Sequence, residues 1–333
     1  MRVSHYFEWE DSVTGGQSQS VNNQRKILDS RGIDYTTEPD LSADILHLNN
    51  MGPRSLYYAR RSAKRDTKVV IHSHQTAEDF RNSFAFSNLL SKPMRPYLSY
   101  AYSLADRIVC PSEHNRDVME MYTEAPKTVI SNGYDPAKLE GHDDPLREEY
   151  LERYDLNPPV VFMVGHVLER KGIDAFIGAA EENPGIDFAW FGFINPTGDR
   201  LGKLLQKRSV RKKIESSPEN CRFTGYVDDI GGAFAAGDIF FFPTKNENEG
   251  MALLESMHCG KPCVLRNIET FDWLEDGRDC LKAGPEEFSG AIEKLAGDEN
   301  LRDKLGKQAK SRSEEFTLEK VGDDLIELYR ELV

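Results

Sequence analysis

Short apolar runs alternate with longer amphipathic segments along almost the whole chain. Such runs, bounded by polar or turn residues, are typical of buried strands, and the segments between them have helical spacing. Strands are predicted at residues 1–7, 44–48, 68–72, 107–110 and 128–131, and again at 160–164, 187–191, 221–224, 239–242 and 262–265. Because strands that alternate with helices form parallel sheets, the sequence predicts an α/β fold with two doubly wound, Rossmann-like domains.

The two groups of strands occupy separate parts of a chain that is longer than one hydrophobic core usually serves. The first domain is expected at residues 1–145 and the second at 155–317, with the charged, proline-containing stretch 141–159 as a linker. A last helix over 318–332 is predicted from the spacing of Val321, Leu325, Leu328 and Leu332.

The composition is that of a large enzyme, with 333 residues of which 39% are hydrophobic and 10% aromatic. No apolar run approaches the ~20 residues that a membrane span requires, and the start of the chain lacks the apolar core of a signal peptide. A cytoplasmic location is therefore expected. Buried thiols are expected for the five cysteines, which are odd in number and lack metal-ligand spacing: Cys110, Cys221, Cys259, Cys263 and Cys280.

The net charge of −14 is unevenly spread along the chain. Residues 1–140 hold 17 basic and 18 acidic residues, whereas residues 50–110 within that part hold 10 basic and 4 acidic residues. An acidic protein is poorly suited to nonspecific binding of nucleic acid, so we expect no nucleic-acid partner. A local basic region with aromatic neighbours suits an anionic surface instead.

The segment F-F-F-P-T-K-N-E-N-E-G-M-A-L-L-E, residues 240–255, contains the most informative pattern in the chain. An apolar strand ends before Pro243 and a helical pattern begins at Met251, so Gly250 falls at a strand-to-helix turn. The free backbone N–H groups of Gly250, Met251 and Ala252 would face an anion such as a diphosphate. Carboxylates accept hydrogen bonds from vicinal hydroxyls, so Glu247 and Glu255 indicate a sugar or ribose beside that anion.

Three further loops follow predicted strands and carry chemistry. G-H-V-L-E-R-K-G, residues 165–172, offers Arg170 and Lys171 as fixed positive charge for a leaving diphosphate. T-G-G-Q-S-Q-S, residues 14–20, follows the first strand, and its glycines let the backbone approach a phosphate or sugar closely. I-H-S-H, residues 71–74, ends a strand where open parallel sheets face their ligand, and it offers two histidines there, His72 and His74.

The 240–262 segment, with Pro243, Gly250 and the G-K-P that follows the helix, resembles the Glu-x7-Glu donor motif of the retaining glycosyltransferases of family four. The resemblance implies the two-domain GT-B fold, with the domains facing a cleft and the last helix crossing back to the first domain. It implies that Glu247 contacts the transferred sugar and Glu255 the ribose. It also implies roles near the donor for Gly15 and Gly16, for His74 beside the transferred sugar, and for Lys171 at the diphosphate.

The sequence departs from the family pattern at His166, where an arginine is usual just after the first glycine of the loop. The second cation is therefore either Arg170 or weakened. No Asp-x-Asp motif occurs, and the resemblance implies a donor site without metal or other cofactor, in which the nucleoside diphosphate sugar is a co-substrate. The implied mechanism is retaining transfer in which the departing diphosphate helps to deprotonate the acceptor.

The acceptor is expected to be a membrane lipid. Residues 84–102 combine aromatic and apolar side chains with Lys92 and Arg95, and a predicted basic helical run precedes them: Arg54, Arg60, Arg61, Lys64, Arg65 and Lys68. Peripheral enzymes use such surfaces on anionic membranes. The loop at 165–172 and the donor motif also resemble the branch that contains diacylglycerol glucosyltransferases. The alternatives are a transferase for surface polysaccharide or protein-linked glycan, a nucleotide-sugar 2-epimerase and, least favoured, a noncatalytic sugar-binding module.

Overall fold

The computed structural model describes residues 1–77, 87–139, 144–194 and 208–333, and not the side chains of residues 87–92. The chain forms two compact units. Within the described ranges, the first unit comprises residues 1–77, 87–134 and 316–333, and the second comprises residues 135–139, 144–194 and 208–315. Phe84 and Phe86, at the start of the segment predicted to face a membrane, lie outside the described residues.

The first unit is built on a parallel sheet of six strands in the order β2-β1-β3-β4-β5-β6. The strands are β1 (Arg2–Tyr6), β2 (Asp34–Thr36), β3 (Ile45–Leu48), β4 (Lys68–His72), β5 (Arg107–Cys110) and β6 (Lys127–Val129). The helices are α1 (Gly16–Ser30), α2 (Pro53–Ser62), α3 (Ser87–Tyr102), α4 (Glu113–Glu120) and, from the end of the chain, α12 (Leu318–Leu332).

Alternating strand residues fill two separate cores, one on each face of this sheet. Val3, Ile45 and Val70 face one core together with α1 and α12, whereas Leu46 and Ile71 face the other core. Helix α12 is held at its start by backbone hydrogen bonds between Tyr134 and the 316–318 turn, and its apolar stripe is buried as the spacing predicts. The last helix therefore belongs to the first unit.

The second unit repeats the architecture with the order β12-β11-β10-β7-β8-β9, again parallel throughout. Its strands are β7 (Val160–Val164), β8 (Asp187–Phe191), β9 (Cys221–Gly225), β10 (Ile239–Phe242), β11 (Cys263–Arg266) and β12 (Leu281–Ala283). Its helices are α5 (Asp144–Tyr154), α6 (Ile173–Glu182), α7 (Arg208–Glu215), α8 (Ile230–Ala236), α9 (Met251–His258), α10 (Phe288–Gly297) and α11 (Glu299–Ser313).

Two expectations about the chain course are corrected by the structure. The stretch predicted as a linker contains α5, which packs on the second unit because Arg147 pairs with Asp238 at 2.8 Å and Tyr150 donates to the Asp229 carbonyl. The predicted basic helical run is also interrupted, since α2 ends at Ser62 and Lys68 is the first residue of β4.

The apolar residues of the predicted membrane-facing segment are partly turned inward. Tyr102 and Leu98 are buried in the core of the first unit, and Tyr97 packs against that core while its hydroxyl donates to the Met51 carbonyl. Tyr100 stays exposed at 46%. All five cysteines are unpaired, and four are buried. Within the described residues, none of the helices is both long enough and apolar enough to cross a membrane.

Candidate active site

The second sheet has its topological switch point between β7 and β10, because successive strands lead away from β7 in opposite directions on its two sides. Ligands of open parallel sheets bind outside the carboxyl ends of the strands at such a point. The loop after β7 carries His166, Arg170 and Lys171, and the loop after β10 carries Glu247. Two motifs separated by more than 70 residues therefore meet at one edge.

Gly172 lets these two loops approach each other. Its φ of +85° is a left-handed conformation that side chains rarely adopt, and a Cβ there would lie 2.3 Å from the Pro243 carbonyl oxygen. Backbone contacts fasten the loops together, since Lys245 N donates to the Arg170 carbonyl and Arg170 Nη1 donates to the Asn246 carbonyl, each at 2.8 Å. The positions of the cations and of Glu247 are consequently fixed with respect to each other.

A compact ionic cluster results. Lys171 Nζ donates to Glu247 Oε2, Arg170 Nη1 lies 3.8 Å from Glu247 Oε1, and the Thr244 hydroxyl is 3.4 Å from Oε2. The side chains of Arg170, Lys171 and Glu247 are only 16%, 16% and 13% exposed to solvent. Lys171 Nζ also lies 5.2 Å from the centre of the Phe242 ring. Since an ammonium has three donors, Lys171 can bind Glu247 and a phosphate oxygen at once.

Glu247 is ionised at neutral pH, whereas the neighbouring His166 is not. Burial alone would raise the pKa of Glu247, but the charges of Lys171 and Arg170 outweigh it, so the pKa is lowered and the carboxylate stays ionised. His166 lies in the same loop with its ring 5.5 Å from that of Phe193. Burial, with added repulsion from Lys171 and Arg170, lowers the pKa of His166 to about 4. The imidazole is therefore uncharged at neutral pH.

Helix α9 begins beside the cluster, with Gly250 as its N-cap at a φ of +96° and no side-chain cap on the first turn. The backbone N–H groups of Met251 and Ala252 belong to this turn, where they have no intrahelical acceptor. Glu255 lies one turn further along and is partly buried. Burial raises its pKa to about 7, an effect that the positive charge of Lys138 reduces. The described contacts do not join Glu255 to the ionic cluster.

Three residues that support Glu247 carry no signal in the sequence. Thr270, which is buried in a short turn after β11, donates its hydroxyl to the Glu247 carbonyl at 2.8 Å. Arg266 donates through Nε to the Pro243 carbonyl at 2.8 Å. Thr244 lies within the motif, but threonine is common in loops and its type alone did not indicate a contact with Glu247. Arg266 is the last residue of β11 and Thr270 follows that strand, so only the β10–β11 pairing brings them to the loop.

The glycine loop of the first unit also lies at a switch point, between β1 and β3. Gly15 precedes α1 with φ +83° and ψ −149°, which is a conformation restricted to glycine, and α1 begins at Gly16. Gln17 donates to the Asn49 carbonyl at 2.7 Å, which ties the loop to the end of β3. The backbone at Gly15 and Gly16 is thus open to close approach by a ligand.

His74 stands at the same edge, two residues after β4, and it is part of a buried stack of rings. Its ring lies parallel to that of His72 at a centroid distance of 4.1 Å, and His72 stacks in turn on His47 at 5.7 Å. His5 meets His47 edge-on at 5.1 Å. Burial, with a smaller contribution from His5, lowers the pKa of His74 to about 3. Among the described residues, no group hydrogen-bonds to His74 Nε2.

In the part of the chain that the structure describes, no three histidine, cysteine or acidic side chains are grouped so that they could hold a metal ion.

Comparison with known proteins places this geometry in a family. Residues 15–138 match the family described as Glycosyltransferase Family 4, and residues 147–312 match Glycosyl transferases group 1. The processive diacylglycerol alpha-glucosyltransferase of Acholeplasma laidlawii is 32% identical, over 100% of this chain and 99% of that protein. The alpha-galactosylglucosyldiacylglycerol synthase of Streptococcus pneumoniae strain R6 is 27% identical, over 84% of this chain and 75% of that protein.

A solved structure shows the same fold. HepE of Anabaena, in complex with UDP-glucose, superimposes with a TM-score of 0.79 at 15% identity, covering 99% of this chain and 100% of that chain. The two parallel six-stranded units are those of the GT-B fold. The chain belongs to the family 4 glycosyltransferases. The fold class, the family and the enzyme class expected from the sequence are thereby confirmed.

Proposed function

We propose that this glycosyltransferase transfers a hexose from a nucleoside diphosphate sugar, with retention of configuration, to the hydroxyl of a membrane lipid such as diacylglycerol. The observation that carries the donor part is the cluster of Lys171, Arg170 and Glu247 beside the uncapped start of α9. Two cations and a helix N-terminus converge on one place, where they stabilise the charge that develops on a departing diphosphate.

Lys171 and Arg170 bind the diphosphate in this proposal. Arg170 supplies the second cation in place of the usual arginine, because His166 is neutral at neutral pH and can only donate or accept a hydrogen bond. The backbone N–H groups of Gly250, Met251 and Ala252 complete the anion site. Glu247 remains ionised and accepts hydrogen bonds from hydroxyls of the transferred sugar.

The remaining roles follow from the family resemblance and the local geometry. Glu255 accepts the ribose hydroxyls when it is ionised, and Gly15 and Gly16 approach the donor through the backbone. His74 contacts the transferred sugar through Nε2, the buried atom for which the described residues supply no partner. In retaining transfer the departing diphosphate accepts the proton of the attacking hydroxyl, so no protein nucleophile and no metal are required.

Two relatives support a lipid acceptor. The names of the Acholeplasma and Streptococcus proteins both refer to diacylglycerol glycolipids, and the first aligns over the full length of this chain. A surface on the first unit fits that substrate. Arg60, Arg61, Lys64 and Arg65 are exposed at the end of α2, and Tyr57 is 52% exposed on the same helix. Basic and aromatic side chains together bind anionic lipid headgroups, so we place the enzyme peripherally on the cytoplasmic face of the membrane.

The proposal is tested by incubating the full chain with a panel of radiolabelled nucleotide sugars and diacylglycerol in mixed micelles without added metal. Label should enter the lipid fraction from one donor, and NMR of the product should show the anomeric configuration of that donor. Lys171→Met should remove the activity, while Lys304→Met, an exposed lysine on α11, should not. An inverted product would contradict retention.

Two other outcomes separate the alternatives. Transfer of label only to a soluble glycan or a polyprenyl-linked acceptor would contradict the lipid acceptor and retain the donor site. Turnover of the nucleotide sugar in the absence of any acceptor would indicate an epimerase.

The role of the basic surface at the end of α2 in membrane binding is tested separately. Arg60→Gln combined with Arg61→Gln should weaken binding to vesicles that contain phosphatidylglycerol roughly 30-fold in a sedimentation assay, because each charge near an anionic surface contributes roughly 1 kcal/mol. Activity on the acceptor dispersed in detergent should change much less. Arg208→Gln combined with Arg211→Gln, on the exposed face of α7, is the matched control. Equal loss in both pairs would indicate a nonspecific charge effect.

A further inference from the structure

The histidine stack of the first unit is fastened to α1, the helix that begins at the glycine loop. Gln24 of α1 is fully enclosed and lies between two rings, with Oε1 2.8 Å from His5 Nε2 and Nε2 3.2 Å from His72 Nδ1. The same amide nitrogen donates to the Ser20 hydroxyl at 3.1 Å. A single buried side chain on α1 is therefore hydrogen-bonded to β1 and β4 together.

The neighbours of Gln24 fix the direction of its amide. Ser20 donates its one hydroxyl proton to Asn132 Oδ1 at 2.5 Å, so its oxygen can only accept from Gln24. The nitrogen of Gln24 must then face both Ser20 and His72. With the amide in this orientation, Gln24 Nε2 donates to His72 Nδ1, and Asn132 is a further hydrogen-bond neighbour of the same ring. These contacts hold the His72 ring in one orientation.

His74 rests against this fixed ring. The two planes differ by only 5° at 4.1 Å between centroids, and the His74 backbone N–H donates to the His72 carbonyl at 2.9 Å. Ser73, between them, is bonded through its N–H and its hydroxyl to the Val109 carbonyl of β5. The backbone on either side of the stack is thus anchored, and the His74 ring takes its orientation from His72.

We propose that Gln24 and His72 are positioning residues for His74, and that they link its orientation to helix α1 and therefore to the glycine loop. This inference rests on the proposed role of His74 beside the transferred sugar. Neither Gln24 nor His72 contacts substrate; each acts through the ring next to it. Burial supports the assignment, since His5, His47 and His72 are all enclosed and their pKa values are lowered, which keeps the stack neutral.

The first test is kinetic. Gln24→Met, which keeps the size of the side chain and removes its polar atoms, should lower kcat roughly 10- to 100-fold and leave the KM for the donor within about threefold, because misplacement of a reacting contact affects turnover first. Asn22→Met, an exposed residue on the same helix, is the matched control and should leave both constants unchanged. Unchanged kcat in a folded Gln24→Met enzyme would overturn the proposal.

A double-mutant cycle shows whether the effect passes through His72. His72→Phe keeps a ring in the stack and removes the hydrogen bond, so Gln24→Met should cost little more in that background. An equal loss of kcat in both backgrounds would mean that Gln24 acts by another route, and the proposal would fail. If Gln24→Met does not fold, the kcat of His72→Phe tests the same hydrogen bond.

The second test is independent of activity. NMR of the ¹⁵N-histidine-labelled protein, with His74 assigned from the spectrum of His74→Asn, should show one sharp His74 signal that broadens or shifts in Gln24→Met. An unchanged His74 signal would overturn the positioning role. If His74→Asn keeps full transfer activity while its signal still responds to Gln24, the positioning stands and the proposed contact of His74 with the sugar is wrong.

Discussion

The two units share a parallel six-stranded sheet, but the carboxyl edges of their sheets have opposite electrostatic character. The first edge is lined by stacked neutral rings from His5, His47, His72 and His74, whose pKa values burial lowers. The second edge holds a paired carboxylate and two cations in a partly buried cluster. The same topology brings loop residues together in both units. The residue types at these positions decide whether the edge carries charged or neutral side chains.

This difference gives the two units different responses to pH. A histidine whose folded pKa is lowered contributes stability above its ordinary value of 6.5 that is lost as the pH falls. Glu255 has a folded pKa raised from 4.5 to about 7, so its contribution is present below pH 4.5 and is lost as the pH rises through 7. Acid should therefore weaken the first unit more than the second, where His166 is destabilised in the same way but Glu255 is relieved.

The largest expected effect concerns the charged edge. Glu247→Ala should lower kcat/KM at least about 10²- to 10³-fold, because the cations lose their partner and the sugar loses an acceptor. The fold should persist, since Glu247 lies outside the hydrophobic core. Transfer assays and circular dichroism measure the two effects, with Glu219→Ala, an exposed glutamate of the same unit, as the control. Normal turnover of the Glu247 variant would remove that residue from the site.

The second largest effect concerns the stability of the two units at acidic pH. Between pH 7 and pH 5, His5 and His74, whose folded pKa values are lowered to about 4 and about 3, should each cost about 2 kcal/mol of the free energy of unfolding, and His47 and His72 act in the same direction. Hydrogen exchange at the two pH values, corrected for intrinsic rates, should show a greater loss of protection in β1 and β4 than in β7 and β10. Equal loss in both sheets would contradict the comparison.

The approach of the two loops in the second unit should depend on one glycine. Gly172→Ala is expected to destabilise the protein by about 1–3 kcal/mol and to reduce donor binding, because the new methyl meets the Pro243 carbonyl at a backbone angle unfavourable to alanine. Gly178→Ala, in the middle of α6 with open space around it, should be neutral or stabilising by up to about 1 kcal/mol. Thermal melts and donor titration compare the pair. Similar melting points would show that the loops can separate without cost.

The smallest expected effect concerns Glu255. If the ionised carboxylate accepts the ribose hydroxyls, the donor affinity of the wild type should fall as the pH drops below about 7. Glu255→Gln should bind the donor several-fold more weakly and remove this pH dependence, while it raises the stability of the unliganded protein at pH 8. Calorimetric titration across pH 6–8 tests both statements. A pH dependence that persists in Glu255→Gln must come from another group.

Most of the fold follows from the chain pattern. Ten of the twelve described strands coincide with a predicted apolar run, and the last helix is found where its apolar spacing indicates. The two that were missed, β2 and β12, are three-residue strands at sheet edges, where partial exposure removes the apolar signal. Helix α5 was missed because its weakly amphipathic sequence is charged on most of its surface.

The sequence alone determined the fold class, the family and the residues that carry fixed charge, because these depend on local periodicity and on residue types at short spacing. The tertiary structure decided which of those residues meet. Strand order brings Lys171 and Glu247 together, β11 supplies Arg266 and Thr270 behind them, and α1 carries Gln24 between His5 and His72. Contacts between residues far apart in the chain depend on how strands pair and helices pack, and local spacing does not encode that pairing.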